Sequence, residues 1–305
     1  MSLKVATSQF PISADIEQNA EWVTRQMQEA KVQGCHVIQF PECALSGYAG
    51  IDFPSFEGYN WSLLKKETTN IQQLAGELGI WVIVGSSHPL TPGKKPRNSM
   101  YFFSAEGEIF DRYDKRFCAG NAELHTEDLA HFSSGNHFVT AEINGVTCGV
   151  LICHEYRYPE LYRALKMQGV QVMFHSFYAG NMDAVQQNEM ETQVGQEFHA
   201  INPGTTLPEI TMPSTMISYA GNNYLWISCS NTSGKESCWG SFVVRPDGVI
   251  TGKLPKNEPG ILISEIDLDH AYYDSTVSWR ERAIKGQFYS GARLDDSRSA
   301  NRWEL

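Results

Sequence analysis

Short runs rich in apolar and β-branched residues recur along this sequence and begin near Val5, Val37, Trp81, Ser99, Ile109, Phe138, Val146, Val170, Tyr224, Gly240 and Gly260. Helical periodicity fits 16–33, 68–78, 159–168 and 214–222 between them. Strands therefore alternate with helices at first, and consecutive strands follow. Such a series buries its apolar faces when two sheets stack and helices cover their outer sides, which predicts an α/β fold. No repeat or low-complexity linker divides the 305 residues. The chemistry-bearing segments described next are spread widely and have to converge, so a single domain over 1–305 is expected.

Three of these runs end in residues that suit nucleophilic chemistry. Gly149-Val150-Leu151-Ile152 leads into Cys153 and then into a dense polar and aromatic segment, His154-Glu155-Tyr156-Arg157-Tyr158-Pro159-Glu160. A strand that ends this way delivers a thiol to a pocket edge, whereas Cys148, at the start of the apolar run, reads as a small core hydrophobe. An ordinary cysteine is mostly thiol at neutral pH and needs activating groups. Val37-Ile38-Gln39-Phe40-Pro41 ends in Glu42, and Ile109-Phe110-Asp111-Arg112-Tyr113-Asp114 ends in Lys115. A base, a cation and a thiol can thus meet at one sheet edge.

Phe40-Pro41-Glu42 with Ser46-Gly47-Tyr48, then Tyr113-Asp114-Lys115, then Ile152-Cys153 with its polar sequel, resemble in order and spacing the three signatures of the nitrilase superfamily of carbon-nitrogen hydrolases. The three residues lie 73 and 38 positions apart, and the likeness runs from about Val5 to Leu262. This resemblance implies a four-layer α-β-β-α sandwich and a Glu42-Lys115-Cys153 triad. It also implies a second glutamate between the lysine and the cysteine, before a Pro-Gly-like turn. Ser134-Gly135 stands at that turn, and Glu127 is chosen, with Asp128 and Glu123 as competitors.

The chemistry follows from the residue types. Glu42 would take the proton of Cys153 as the thiol attacks an amide or nitrile carbon. Lys115 would favour the thiolate and, with a backbone N–H after the nucleophile such as that of His154, hold the oxyanion. Water activated by Glu42 would then hydrolyse the thioester; no metal or cofactor is expected. The segment after Cys153 is similar to the form found in amidases and carbamoylases, so a small amide or carbamoyl substrate is expected. In related carbamoylases an arginine at the place of Arg157 helps hold a substrate carboxylate; a structural ion pair is the alternative. His154, Tyr48, Phe177 and Tyr178 are candidate pocket residues, although aromatics beside a strand end commonly belong to the core. Glu160 and Arg163 read as first-turn residues of a helix from Pro159.

Other chemistries fit less well. His154-Glu155 begins like a zinc-protease helix, but Tyr158 replaces the second histidine and Pro159 breaks the helical face. A papain-like pairing of Cys153 with His175 or His199 has no supporting local signature. No GxSxG elbow, P-loop or GxGxxG stands in a strand-turn-helix context, so nucleotide chemistry has no support. A net charge of −11 without basic runs argues against nucleic acid. Seven cysteines without CxxC spacing suit reduced thiols. The absence of a signal-type stretch or an apolar run long enough to span a bilayer leads to the expectation of a cytoplasmic protein without membrane contact, in which the sequons at Asn60 and Asn231 are chance matches.

Two regions stand apart. Asn181 to Pro213 reads as a long excursion, either shaping the pocket or forming a surface loop. The tail from about 277 mixes aromatics and charges, and by the family resemblance a homo-oligomer is expected, with this tail at the subunit interface. Three other functions share the framework: a cysteine-dependent acyltransferase, a nitrilase and an inactive scaffold of the same fold.

Overall fold

The computed structural model describes residues 1–292, 295–300 and 303. Its strands are β1 (Ser2–Gln9), β2 (Val37–Gln39), β3 (Trp81–His88), β4 (Arg97–Phe103), β5 (Ile109–Asp114), β6 (Thr140–Ile143), β7 (Val146–Ile152), β8 (Val172–Ser176), β9 (Trp226–Ser230), β10 (Phe242–Val244), β11 (Ile250–Lys253) and β12 (Gly260–Asp267). They form two six-stranded sheets, ordered β12-β1-β2-β3-β4-β5 and β11-β10-β9-β8-β7-β6. Each sheet is parallel at its centre, β1-β2-β3 in one and β7-β8-β9 in the other, and antiparallel outside. Central parallel strands are covered on both faces, which explains their nearly unbroken burial.

Alternation along the strands makes the layers. In the first sheet Val5, Val37, Ile83, Met100 and Phe102 face the second sheet, where Val150, Val172, Phe174, Ile227 and Phe242 belong to the same apolar cluster. Their neighbours Ala6, Ile38, Val82 and Val84 face outward onto α1 (Ile16–Val32) and α2 (Trp61–Leu78). After the short α3 (Asp128–His131), α4 (Pro159–Met167) and α6 (Leu207–Asn223) cover the second sheet through Leu161, Tyr162, Leu165, Met212, Met216 and Ala220. This is the α-β-β-α sandwich that the resemblance implied.

A buried polar seam joins the sheets. Thr7 and Ser228 share a hydroxyl hydrogen bond of 2.6 Å, Ser228 donates to Gln39 at 2.6 Å, and Gln39 donates to Ser176 at 3.0 Å. Ser176 in turn donates to the carbonyl of Phe40 at 2.8 Å. Side-chain hydrogen bonds are directional where apolar contact is not, so the seam aligns the end of β2 with the end of β8.

Four elements differ from the sequence expectation. Helix α2 starts seven residues early, at Trp61, because Asn60 caps it by accepting from the Leu63 N–H at 3.0 Å. Helix α6 starts at Leu207 and runs through Pro213, with Thr206 and Glu209 forming a capping box. Helix α5 (Ala184–Val194), inside the excursion, buries no residue and so shows no apolar stripe to detect. Strand β11 is a largely exposed edge strand. The described part of the tail contains α7 (Arg280–Ile284), which buries nothing; 293–294, 301–302 and 304–305 lie outside the described residues.

Candidate active site

Glu42, Lys115 and Cys153 each sit just beyond a strand: β2, β5 and β7. Cys43, directly after Glu42, has φ +53, and Cys153 itself has φ +42. Residues with a Cβ rarely occupy this left-handed region, and such strain persists only where the surroundings over-determine it, commonly at functional sites. Backbone bonds set the anchor points: the N–H of Glu42 donates to the Phe177 carbonyl at 3.2 Å, and that of Lys115 to the Asn98 carbonyl at 2.8 Å. Two glycines permit the approach. A Cβ on Gly85 would stand 2.2 Å from the Pro41 carbonyl oxygen and 2.6 Å from the Cys43 nitrogen. One on Gly135 would stand 2.1 Å from the Asp114 carbonyl oxygen, where Gly135 N–H donates to the Lys115 carbonyl.

The side chains of Glu42 and Lys115 are fully buried, and Lys115 Nζ donates to Glu42 Oε1 at 2.7 Å and to Asp128 Oδ2 at 2.7 Å. Asn98 Nδ2 donates to Glu42 Oε1 at 2.7 Å, and the Ala119 N–H to Asp128 Oδ2 at 2.9 Å. Tyr48 Oη lies 3.4 Å from Glu42 Oε1 and makes a short hydrogen bond to Asp128 Oδ1, which takes its single proton. Burial opposes the charge on Lys115, but the two carboxylates outweigh it and hold its pKa well above the ordinary value. Burial pushes Glu42 up, against the pull of Lys115 and with Asp128 adding to the rise. Asp128 is held below the usual range: burial works upward, and the Lys115 ammonium, Tyr48 and the Ala119 N–H overcome it.

Glu42 Oε2 is buried and has no hydrogen-bond partner among the described residues. Cys153 is partly accessible. Burial pushes its thiol pKa up, Glu42 adds to this, and Lys115 and the Tyr178 backbone N–H oppose it. At rest Cys153 is therefore held as the neutral thiol. The short 3₁₀ turn Cys153–Arg157 carries Glu155, whose buried carboxylate joins two of the loops. Its Oε2 accepts from the Ile152 N–H at 2.7 Å, and its Oε1 from Tyr113 Oη at 2.7 Å, Arg116 N–H at 2.8 Å and Phe117 N–H at 3.2 Å.

The acid that reaches Lys115 is Asp128, the competitor in the sequence reading, and not Glu127 or Glu123, which are both exposed. Glu127 adopts φ +50 before α3, and that turn buries the following side chain while leaving its own on the rim of a cleft of about 470 Å³ shared with Tyr48, Asp128 and His131. Phe177 is a core residue, stacked on His175 at 4.3 Å and edge-on to Trp239 at 5.5 Å. Tyr48 and Tyr178 pack together with ring centroids 4.8 Å apart, and Tyr178 Oη donates to Asp52 Oδ1 at 2.5 Å. His154 is half-buried, with Nε2 3.2 Å from Tyr158 Oη, and Arg157 is exposed with its guanidinium over the Tyr156 ring at 4.9 Å. The sequence reading did not single out Asn98, Glu155 as a clamp, or Gly85. A glycine inside an apolar strand pattern, Val84-Gly85-Ser86, was a signal for close backbone approach; nothing local marked Asn98.

Comparison with known proteins gives the family and the fold. The family model described as carbon-nitrogen hydrolase matches residues 4–273. The chain is 25% identical over 275 residues to the omega-amidase of Homo sapiens, covering 88% of this chain and 89% of that one. It is 23% identical over 292 residues to the N-carbamoylputrescine amidase of Arabidopsis thaliana, covering 87% and 86%. It is also 23% identical to the glutamine-dependent NAD(+) synthetase of Acinetobacter baylyi, of whose length it spans 46%. Among solved structures, an amidase from Nesterenkonia sp. AN1 superposes with a TM-score of 0.70 at 20% identity, over 93% of this chain and 99% of that one. A mutant of that amidase carries the acetamide moiety of fluoroacetamide on its active-site cysteine. Because the family model spans β1 to β12 and with them Glu42, Lys115 and Cys153, the chain belongs to the carbon-nitrogen hydrolase family, within the nitrilase superfamily.

Proposed function

We propose that this protein hydrolyses the C–N bond of a small amide or N-carbamoyl compound through a thioester on Cys153. The observation that carries this reading is the buried, unpartnered Oε2 of Glu42 in a cluster whose charges act directly on the Cys153 thiol. A buried carboxylate oxygen without a donor costs about 1–3 kcal/mol, and such a cost persists where a proton has to be received.

In this reading Cys153 Sγ attacks the carbonyl carbon as its proton passes to Glu42. The oxyanion is held by Lys115 and by a backbone N–H at the start of the 3₁₀ turn, that of His154. Glu42 returns the proton to the nitrogen, the C–N bond breaks, and ammonia or an amine leaves. A water molecule deprotonated by Glu42 then attacks the thioester; the acid departs and the thiol is restored with the same proton. Asp128 keeps Lys115 charged and in place, and Tyr48 holds Asp128. The names omega-amidase and N-carbamoylputrescine amidase describe enzymes that act on amide and carbamoyl groups, which supports such substrates over nitriles.

The test is intact-protein mass spectrometry after brief exposure to small amides, N-carbamoyl amines and nitriles, with released ammonia followed in parallel and Cys153→Ala as control. An adduct and ammonia that both require Cys153 are expected. An amide product formed with an added amine, in place of free acid, would identify an acyltransferase. No adduct and no ammonia across the panel would overturn the reading.

A further inference from the structure

His175 lies on β8 with no exposed surface, beside the nucleophile that a papain-like mechanism would have it deprotonate. Its geometry serves a different purpose. Nε2 stands 3.1 Å from the carbonyl oxygen of Cys153, and Nδ1 stands 2.5 Å from Tyr162 Oη. A carbonyl only accepts, so Nε2 carries the proton; Nδ1 is then a bare acceptor and Tyr162 is the donor. Burial pushes the imidazole pKa down to about 3, which keeps the ring neutral and leaves one proton to assign. Neither nitrogen remains for the Cys153 sulfur.

We propose that His175, held in its Nε2–H tautomer by Tyr162, is a positioning residue that fixes the left-handed turn at Cys153 and so aims the thiol, which rests on the hydrolase reading above. The strand end before Cys153 is already clamped where Glu155 takes the Ile152 N–H at 2.7 Å. The carbonyl after the Cys153 Cα needs a separate restraint, because φ +42 is unfavourable for cysteine and the chain would relax toward ordinary torsions without it. His175 is itself immobile, stacked between Tyr162 at 5.8 Å and Phe177 at 4.3 Å, so its N–H is a fixed reference on the central strand. Near-attack geometry demands that the sulfur be placed within a fraction of an ångström, and a restraint on its own peptide supplies this.

The experiment compares His175→Phe, His175→Gln and Tyr162→Phe by steady-state kinetics, thermal melting and the rate of Cys153 alkylation by iodoacetamide, read by peptide mass spectrometry. His175→Phe keeps an aromatic ring and loses the donor. It is expected to lower kcat about 100-fold, with KM unchanged, and to slow alkylation in parallel. His175→Gln restores a donor and should recover most of the loss. Tyr162→Phe frees the tautomer and should give a smaller loss of the same pattern. Wild-type kcat in His175→Phe, or equal losses in the Phe and Gln variants tracking their melting temperatures, would overturn the proposal. If His175→Phe does not fold, wild-type kcat in Tyr162→Phe overturns it. Alkylation needs no substrate: slowed alkylation without any amide turnover by the wild type would sink the hydrolase reading alone, and turnover with unaltered alkylation would sink this proposal alone.

Discussion

Lys115 holds Glu42 by one oxygen only: Nζ is 2.7 Å from Oε1, and Oε2 of the same carboxylate has no partner among the described residues. The ammonium thereby orients the carboxylate without consuming its capacity to accept a proton. Asp128 occupies a second donor position of Lys115, also at 2.7 Å, so the buried cation is matched by more negative than positive charge. Burial, with the Asp128 charge adding to it, raises Glu42, and burial together with the two carboxylates disfavours a resting thiolate at Cys153. In the reading proposed above, the proton moves during attack and no thiolate is stored beforehand.

Removing the proton acceptor should therefore cost rate and leave the fold intact. Glu42→Gln retains the Lys115 contact through its amide oxygen and is expected to lower kcat about 10²–10⁴-fold. Cys153→Ala should abolish turnover. Circular dichroism and melting temperature near wild type, measured on both, separate chemistry from folding.

The acidic limb of kcat/KM should report Glu42 and fall at a pH above the usual carboxylate range, because burial raises this group and it works only when ionised. Asp128→Asn removes a neighbouring negative charge, so Glu42 ionises more easily and the limb should move to lower pH. A pH–rate profile whose limb stays in place in that variant would show that Asp128 does not act on Glu42.

Asp128 and Glu127 should separate clearly. Asp128→Asn weakens the hold on Lys115, and a rate loss of about tenfold or more is expected by analogy with residues that orient first-contact groups. Glu127→Gln, on the exposed rim, should stay within about twofold in kcat, in line with the small energies of exposed charges. Parallel steady-state kinetics on the two variants decide between them.

Lys115→Met leaves two buried carboxylates without a counter-charge and should destabilise by about 3–5 kcal/mol at neutral pH. Both folded-state pKa values would then lie above their unfolded values. For acids raised in this way, stability is present below the unfolded pKa and is lost as pH rises through the folded one. The melting temperature of Lys115→Met should accordingly recover as pH is lowered from 7 toward 5, relative to wild type in the same buffers.

Gly85→Ala would press a methyl group against the Pro41 carbonyl and the peptide after Glu42. Overpacking of about 1–3 kcal/mol is expected, together with a loss of kcat greater than the loss of stability explains. Urea denaturation and kinetics on the same preparation distinguish the two effects.

The strand ends that carry Glu42, Lys115 and Cys153 were legible because each combines a short apolar run, alternating before Lys115 and nearly continuous before Cys153, with an abrupt change to polar residues. Both sheets were legible for the same reason, apart from β11, an edge strand with little to bury. Helix α5 left no trace because all its faces are polar and it buries none of its residues. Glu127, Asp128 and Glu123 could not be ranked locally, since one turn decides which of three neighbouring acids points inward, and Asp128 is held there by Lys115, Ala119 and the distant Tyr48. Phe177 and Tyr178 were paired as pocket walls, yet adjacent residues leaving a strand face opposite ways, and Phe177 entered the core.

The sequence by itself pointed to two stacked sheets covered by helices, and to Glu42, Lys115 and Cys153 delivered in that order to strand ends, because hydrophobic period and turn chemistry are local properties; the four-layer sandwich was an implication of the family resemblance. The tertiary structure alone decided the sharing of Lys115 between Glu42 and Asp128, the unpartnered Oε2 and the turning of His175 toward a carbonyl instead of a sulfur. These depend on distances between residues 13 to 73 positions apart. Burial then converts such distances into charge states, since desolvation and pairing act only once the sheets have closed over the site.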